Sequence, residues 1–177
     1  VVLDGTRISA TGQYAHGIMA SGGGTVQGTN LDVGTTGANS AAIATDRGGG
    51  TITAAGGTYR TAGADSPVLY STGTVTASGI TGTATGSEVA VIEGSNTITV
   101  TDSSLSGTKK SGVMLYQSMS GDAEGSASTF TMTGGSISQA EGPVFYVTNA
   151  TGTIVLQDVS VTASSGTLLK AAADRWG

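Results

Sequence analysis

Twelve carboxylates, seven Lys and Arg side chains and one histidine are the groups in this 177-residue chain that could move a proton or hold a cation. Glycoside hydrolysis needs two carboxylates held roughly 5–10 Å apart, and proton abstraction needs a base within hydrogen-bond reach of its target. The acids do not gather in that way. Asp4, Asp32, Asp46, Asp65, Asp102, Asp158, Asp174, Glu88, Glu93 and Glu141 fall mainly at corners between apolar segments, and no motif puts two on one strand. His16, in "AHG", has no carboxylate near it in sequence and reads as an ordinary exposed histidine. Asp46 and Arg47 read as a surface ion pair, Lys109 and Lys110 as a solvated corner. Asp122 and Glu124 offer two carboxylates, whereas Ca²⁺ takes about six to eight oxygens. The expectation is therefore no catalytic residue, no metal and no cofactor.

The elements that carry these groups must be built from unusual material. Thirty Gly, two Phe and one Trp leave few large side chains. Charged residues make up 11%, against roughly 25% in an average soluble domain. A net charge of −5 drawn from so few ionised groups does not mark a disordered chain. Small apolar residues suit a thin, elongated core. Cysteine is absent, which excludes disulfides and thiolate metal sites. The pI near 4.5 and the lack of a basic cluster argue against nucleic acid as a partner. No apolar run approaches the roughly 18 residues of a membrane span, so no membrane insertion is expected. Opening at "VVLDG" without Met and closing at "DRWG", residues 1–177 read as a segment of a longer chain.

An internal repeat organises the sequence. The phrase "TIT" at Thr51 returns as "TVT" at Thr74 and "TIT" at Thr97, then as "TFT" at Thr129 and "TIV" at Thr153, with "TVQ" at Thr25 upstream. The steps are 26, 23, 23, 32 and 24 residues. Apolar residues alternate within each unit, the period of a strand. Val26, Ile52, Val75, Ile98, Phe130 and Ile154 form one column, and Gly28, Ala54, Ala77, Val100, Met132 and Leu156 the next. A second alternating segment holds Leu31 and Val33, then Tyr59, Ile80, Leu105, Ile137, Val159 and Val161. A third is more continuously apolar, as in "PVLY", "VAVI", "GVMLY" and "PVFYV".

Three short strands per unit of about 23 residues describe one coil of a solenoid. With this repeat length and pattern the chain resembles the right-handed parallel β-helix superfamily, which includes pectin lyase-like enzymes, autotransporter passengers and bacterial adhesins. The resemblance covers essentially the whole chain and singles out no one family. It implies an all-β fold, a single domain of about seven coils. The long step from Thr97 to Thr129 predicts an inserted loop over about 118–128.

Two outward columns are the most distinctive chemistry. Thr25, Thr51, Thr74, Thr97, Thr129 and Thr153 lead the units, and Gln27, Thr53, Thr76, Thr99, Thr131 and Val155 follow two residues later. On a regular sheet their hydroxyls form a grid of about 6.7 by 4.8 Å. Such columns serve first as stacking ladders on a pleated surface. They also look like the Thr-x-Thr arrays of β-solenoid antifreeze proteins. Tyr70, Tyr116, Phe145 and Tyr146 form a second candidate face, an aromatic stripe able to stack on sugar rings or meet a partner.

The reading favoured by these features is a non-catalytic extracellular or cell-surface β-solenoid, an adhesin-like structural or binding segment. Its expected partners are glycans, another surface protein, or a further copy stacked end to end through unpaired strand edges. A polysaccharide lyase or hydrolase, revealed by a groove with converging acids, and an ice-binding protein with a flat Thr face are the alternatives.

Overall fold

The computed structural model describes residues 1–118 and 123–173. Among them are seventeen strands and no helix. The first coil comprises β1 (Val2–Asp4), β2 (Arg7–Ala10) and β3 (Ile18–Ala20), the second β4 (Gly24–Thr35) and β5 (Ile43–Thr45), and the third β6 (Gly50–Thr61) and β7 (Leu69–Ser71). The fourth is β8 (Thr74–Ser78), β9 (Thr81–Ala84) and β10 (Ala90–Glu93), and the fifth β11 (Thr97–Gly107) and β12 (Val113–Tyr116). The sixth is β13 (Ala127–Gln139) and β14 (Phe145–Thr148), and the last β15 (Thr151–Gln157), β16 (Ser160–Ala163) and β17 (Leu169–Ala172).

Each coil pairs in parallel with the next, giving a ten-stranded sheet that bends into two faces and a seven-stranded sheet opposite. The chain is a parallel β-solenoid of seven coils. In β4, β6, β11 and β13 a single strand runs through both faces of the larger sheet.

The bend between those faces has a residue-type rule. Asn30, Gly56, Gly79, Asp102, Gly134 and Asp158 stand there with φ between 47° and 70°. Asn and Asp tolerate this left-handed conformation because their short polar side chains bond locally, and Gly because it has no Cβ. The next corner stacks differently. A Cβ on Gly37 would lie 1.9 Å from the carbonyl oxygen of Gly12, and one on Gly63 equally close to that of Gly37. The coils approach too closely there for any side chain. Ser40 and Ser66 donate to those same two carbonyls, each at 2.9 Å.

Inside, the two leading apolar columns stack as the spacing predicts, with Ile52 beside Val75, Val75 beside Ile98, and Ile98 beside Phe130. The second face departs from expectation at one rung. Gly82, not Ile80, stands in register between Tyr59 and Leu105. A Cβ on Gly82 would meet Leu105 Cδ2 at 2.9 Å and Val68 Cγ1 at 3.1 Å. The neighbours fill the space that residue leaves, and Ile80 enters the core two residues earlier, fully buried.

The long step keeps the ladder intact, since Thr97 pairs directly with Thr129. Of the expected loop, residues 119–122, including Asp122, lie outside the described residues, and β13 has already begun at Ala127.

Candidate functional site

Outward side chains make two surfaces of different chemistry. On the larger sheet the expected Thr columns are in register: Thr25, Thr51, Thr74, Thr97, Thr129 and Thr153 pair in sequence, and so do Gln27, Thr53, Thr76, Thr99, Thr131 and Val155. All of them reach solvent at least partly. The lattice extends past the bend in a way the sequence reading missed. Asp32, Thr58, Thr81, Ser104, Ser136 and Ser160 form a further outward column, with Ser104 and Ser136 Oγ atoms 3.3 Å apart. Asp32 breaks its uniformity by accepting from Arg60 at 2.7 Å, with Arg7 at 3.6 Å.

The smaller sheet carries the second surface. One outward register column runs Met19, Ala44, Tyr70, Val91, Met114, Tyr146 and Lys170. Tyr70, Tyr116 and Tyr146 join an apolar cluster with Val91 and Met114, but Tyr146 is buried and Tyr70 and Tyr116 are partly buried, so the three rings do not form an open stripe. Phe145 does not. It belongs to the inward column and packs in the core against Phe130, ring centroids 6.0 Å apart, because one residue along a strand reverses the face. Tyr146 is covered by the Lys170 ammonium, 4.7 Å from the ring centre.

Beside this column lies a groove of about 570 Å³ that crosses five coils. Tyr14 and His16 enter it from the first coil, Asp46 and Arg47 from the second, Asp65 and Tyr70 from the third, Glu88 from the fourth, and Lys110 and Tyr116 from the fifth. Three of its charges are tied to one another. Lys110 donates to Asp65 and lies 3.9 Å from Glu88. Burial pulls the Lys110 ammonium down, but these two carboxylates outweigh it and leave its pKa above the ordinary value. Glu88 is buried and accepts from Ser87 Oγ at 2.7 Å.

Under the groove, Glu93 is 1% exposed and accepts from Tyr70 at 2.6 Å, from Tyr116 at 2.8 Å and from Ser118. Burial, then the neighbouring Tyr116 and Glu93, raise the Tyr70 pKa far above that of a free phenol. No protein-family model, curated protein or solved structure matches the chain. The assignment of a site therefore rests on geometry.

His16 is half-buried, and its Nδ1 accepts the backbone N–H of Ala41 at 3.1 Å. Burial lowers its pKa, with Asp46 opposing. A neutral imidazole bonded in this way carries its proton on Nε2. It presents a donor and no free lone pair, which is the wrong tautomer for a base. Among the described residues no group of three His, Asp or Glu side chains is placed to hold a metal.

The groove is hard to read in the residues alone because each coil contributes only two to four of its lining side chains. The aligned phrases "TGQYAHGI", "TGANSAAI" and "AGADSPVL" do carry a signal, setting Tyr14, Asn39 and Asp65 at one equivalent position.

Proposed function

We propose that this chain is a non-catalytic, adhesin-like β-solenoid segment of an extracellular or cell-surface protein, which holds a glycan or another surface protein in the groove of its smaller sheet. The observation that carries this reading is that Glu93, Glu88, Asp65, Lys110 and His16 Nδ1 are each already bonded or ion-paired at the groove. A general acid must hold a proton to give away, and a base must offer a lone pair. Here Glu93 is surrounded by three donors, Glu88 and Asp65 face Lys110, and His16 Nδ1 is already bonded. Groups so arranged are fixed acceptors and donors, the equipment of a binding surface.

The test is a binding screen of the intact chain against immobilised glycans and surface proteins, repeated with Val91→Arg, which places a long charged side chain on the groove floor. Ligand capture lost in that variant, with no chemical change in the ligand, is the expected result. Capture unaffected by the variant would move the site elsewhere.

The convergence of Asp46, Asp65 and Glu88 on one groove favours a lyase or hydrolase as second reading. Release of new reducing ends from a polysaccharide, abolished by Asp46→Asn, would establish it. The in-register Thr columns favour ice binding in the same limited sense. Thermal hysteresis that disappears in a Thr76→Tyr, Thr99→Tyr variant would make that face the functional one.

A further inference from the structure

We propose that the groove takes a neutral, linear saccharide laid along the solenoid axis, with the Tyr14 ring as its stacking platform. The inference rests on the groove being a binding site, as above, and names the ligand class. Tyr14 has φ 56°, at the position occupied one coil on by Asn39 (φ 53°) and two coils on by Asp65 (φ 51°). Asn and Asp enter this conformation readily, while a bulky side chain there is strained by on the order of 1 kcal/mol. The Tyr14 side chain packs little in return: it is 69% exposed and has no ring or side-chain hydrogen-bond partner among the described residues. The ring therefore stands open to a ligand at the first-coil end of the groove.

The shape of the groove limits what that is. Its lining comes from five successive coils, and at about 4.8 Å per coil it extends roughly 19 Å along the axis. An elongated ligand fits such a length. A peptide bound by strand addition is confined to the free edge of β3 at the first-coil end, because β5, β7, β10 and β12 each have neighbours on both sides along the rest of the groove.

The charge of the groove narrows the choice further. Asp46, Asp65 and Glu88 oppose a polyanion, while Arg47 and Lys110 oppose a polycation, and Lys110 is already paired. What remains is a set of hydrogen-bond donors and acceptors with charge of both signs about them. His16 Nε2–H donates, the Asn39 amide donates and accepts, and Asp46 accepts. Sugar rings present hydroxyls that do both around their rim, and C–H faces that pack on an aromatic ring.

The experiment titrates the intact chain by calorimetry with linear hexasaccharides of β-1,4-linked glucose, mannose and xylose, and with hexagalacturonate and hexalysine as charged counterparts. It is repeated with Tyr14→Asn, which installs the residue its own fold uses one coil on, and with Val91→Arg. The expected result is binding of at least one neutral hexasaccharide, weakened about tenfold or more by Tyr14→Asn while the melting temperature does not fall. Unchanged affinity in a folded Tyr14→Asn chain would overturn the platform. Binding of hexagalacturonate or hexalysine alone, blocked by Val91→Arg, would overturn the neutral-saccharide assignment and leave the groove as a binding site. Absence of any Val91→Arg-sensitive binding, to these probes and in the surface-protein screen, would overturn both.

Discussion

The Tyr70 hydroxyl donates to Oε2 of Glu93 across 2.6 Å, joining the third coil to the fourth beneath the groove. Glu93 Oε2 takes a second phenol, Tyr116 of the fifth coil, at 2.8 Å. One buried carboxylate thus ties three coils. Glu93→Ala leaves two phenols short of their acceptor and is expected to destabilise the fold by about 4 kcal/mol, roughly 2 kcal/mol for each, while Tyr70→Phe, which removes one of these bonds, costs about 1.5–2 kcal/mol. Urea unfolding of the two variants checks the order. Equal losses would mean that Glu93 is not the shared acceptor.

Tyr59 offers the opposite case. Its side chain is fully buried and its hydroxyl has no hydrogen-bond partner among the described residues. Tyr59→Phe removes an unsatisfied polar atom and is expected to stabilise the chain by about 1 kcal/mol near pH 7. Burial also pushes the Tyr59 pKa up to about 12, from roughly 10 in the unfolded chain. The folded state therefore holds its proton longer than the unfolded state does. The pH-dependent cost of this group is absent below pH 10 and grows as pH rises from about 10 to 12. Tyr59→Phe should flatten the fall in melting temperature over that window, leaving the share due to Tyr70, whose pKa is also raised.

These two tyrosines show what the residues alone make legible. The Thr columns could be read rung by rung because Thr-x-Thr recurs on four successive coils, from Thr51 to Thr131, and backbone register follows the repeat. Parity along a strand decides which way an aromatic faces, so the neighbours Phe145 and Tyr146 do not share one stripe as the expectation has them, and Phe145 faces in. Gly82 was passed over because a small residue between Tyr59 and Leu105 has meaning only when the branches filling its space are seen. The Tyr70–Glu93–Tyr116 cluster joins residues 23 apart at each step, and no local motif announces that. Periodicity reports repetition, whereas a site is where repetition stops.

Gly34 and Gly37, three residues apart, should respond to substitution in opposite ways. Gly34 lies within β4, and a Cβ there meets nothing within 4 Å. Gly34→Thr is expected to stabilise by roughly 0.5–1 kcal/mol, because glycine within a strand is entropically poor and Thr suits a pleated surface. Gly37→Ala would drive its methyl into the Gly12 carbonyl. It should cost more than about 2 kcal/mol or prevent folding. Melting temperatures of the pair, measured side by side, decide whether corner spacing is as tight as this.

The last coil bears on association. Leu168 and Leu169 are 53% and 55% exposed, and β15 and β17 are terminal strands of their sheets. Such edges pair with further copies unless charged. The 177-residue chain is expected to self-associate with rising concentration, and Leu168→Lys to suppress this. Sedimentation velocity over a hundredfold range of concentration provides the check, and a monomer throughout would end the idea.

Thr97 meets Thr129 across the ladder although 32 residues separate them, nine more than separate Thr74 from Thr97. The solenoid counts rungs and is indifferent to the length of chain spent between them at a corner. A foreign epitope spliced between residues 118 and 126 would then ride on the shaft as cargo, leaving the hydroxyl lattice on one side and the groove on the other in step. New recognition can arise at such a corner without renegotiating the rest of the fold, which gives a solenoid of this kind room to change its outward identity while its spine stays fixed.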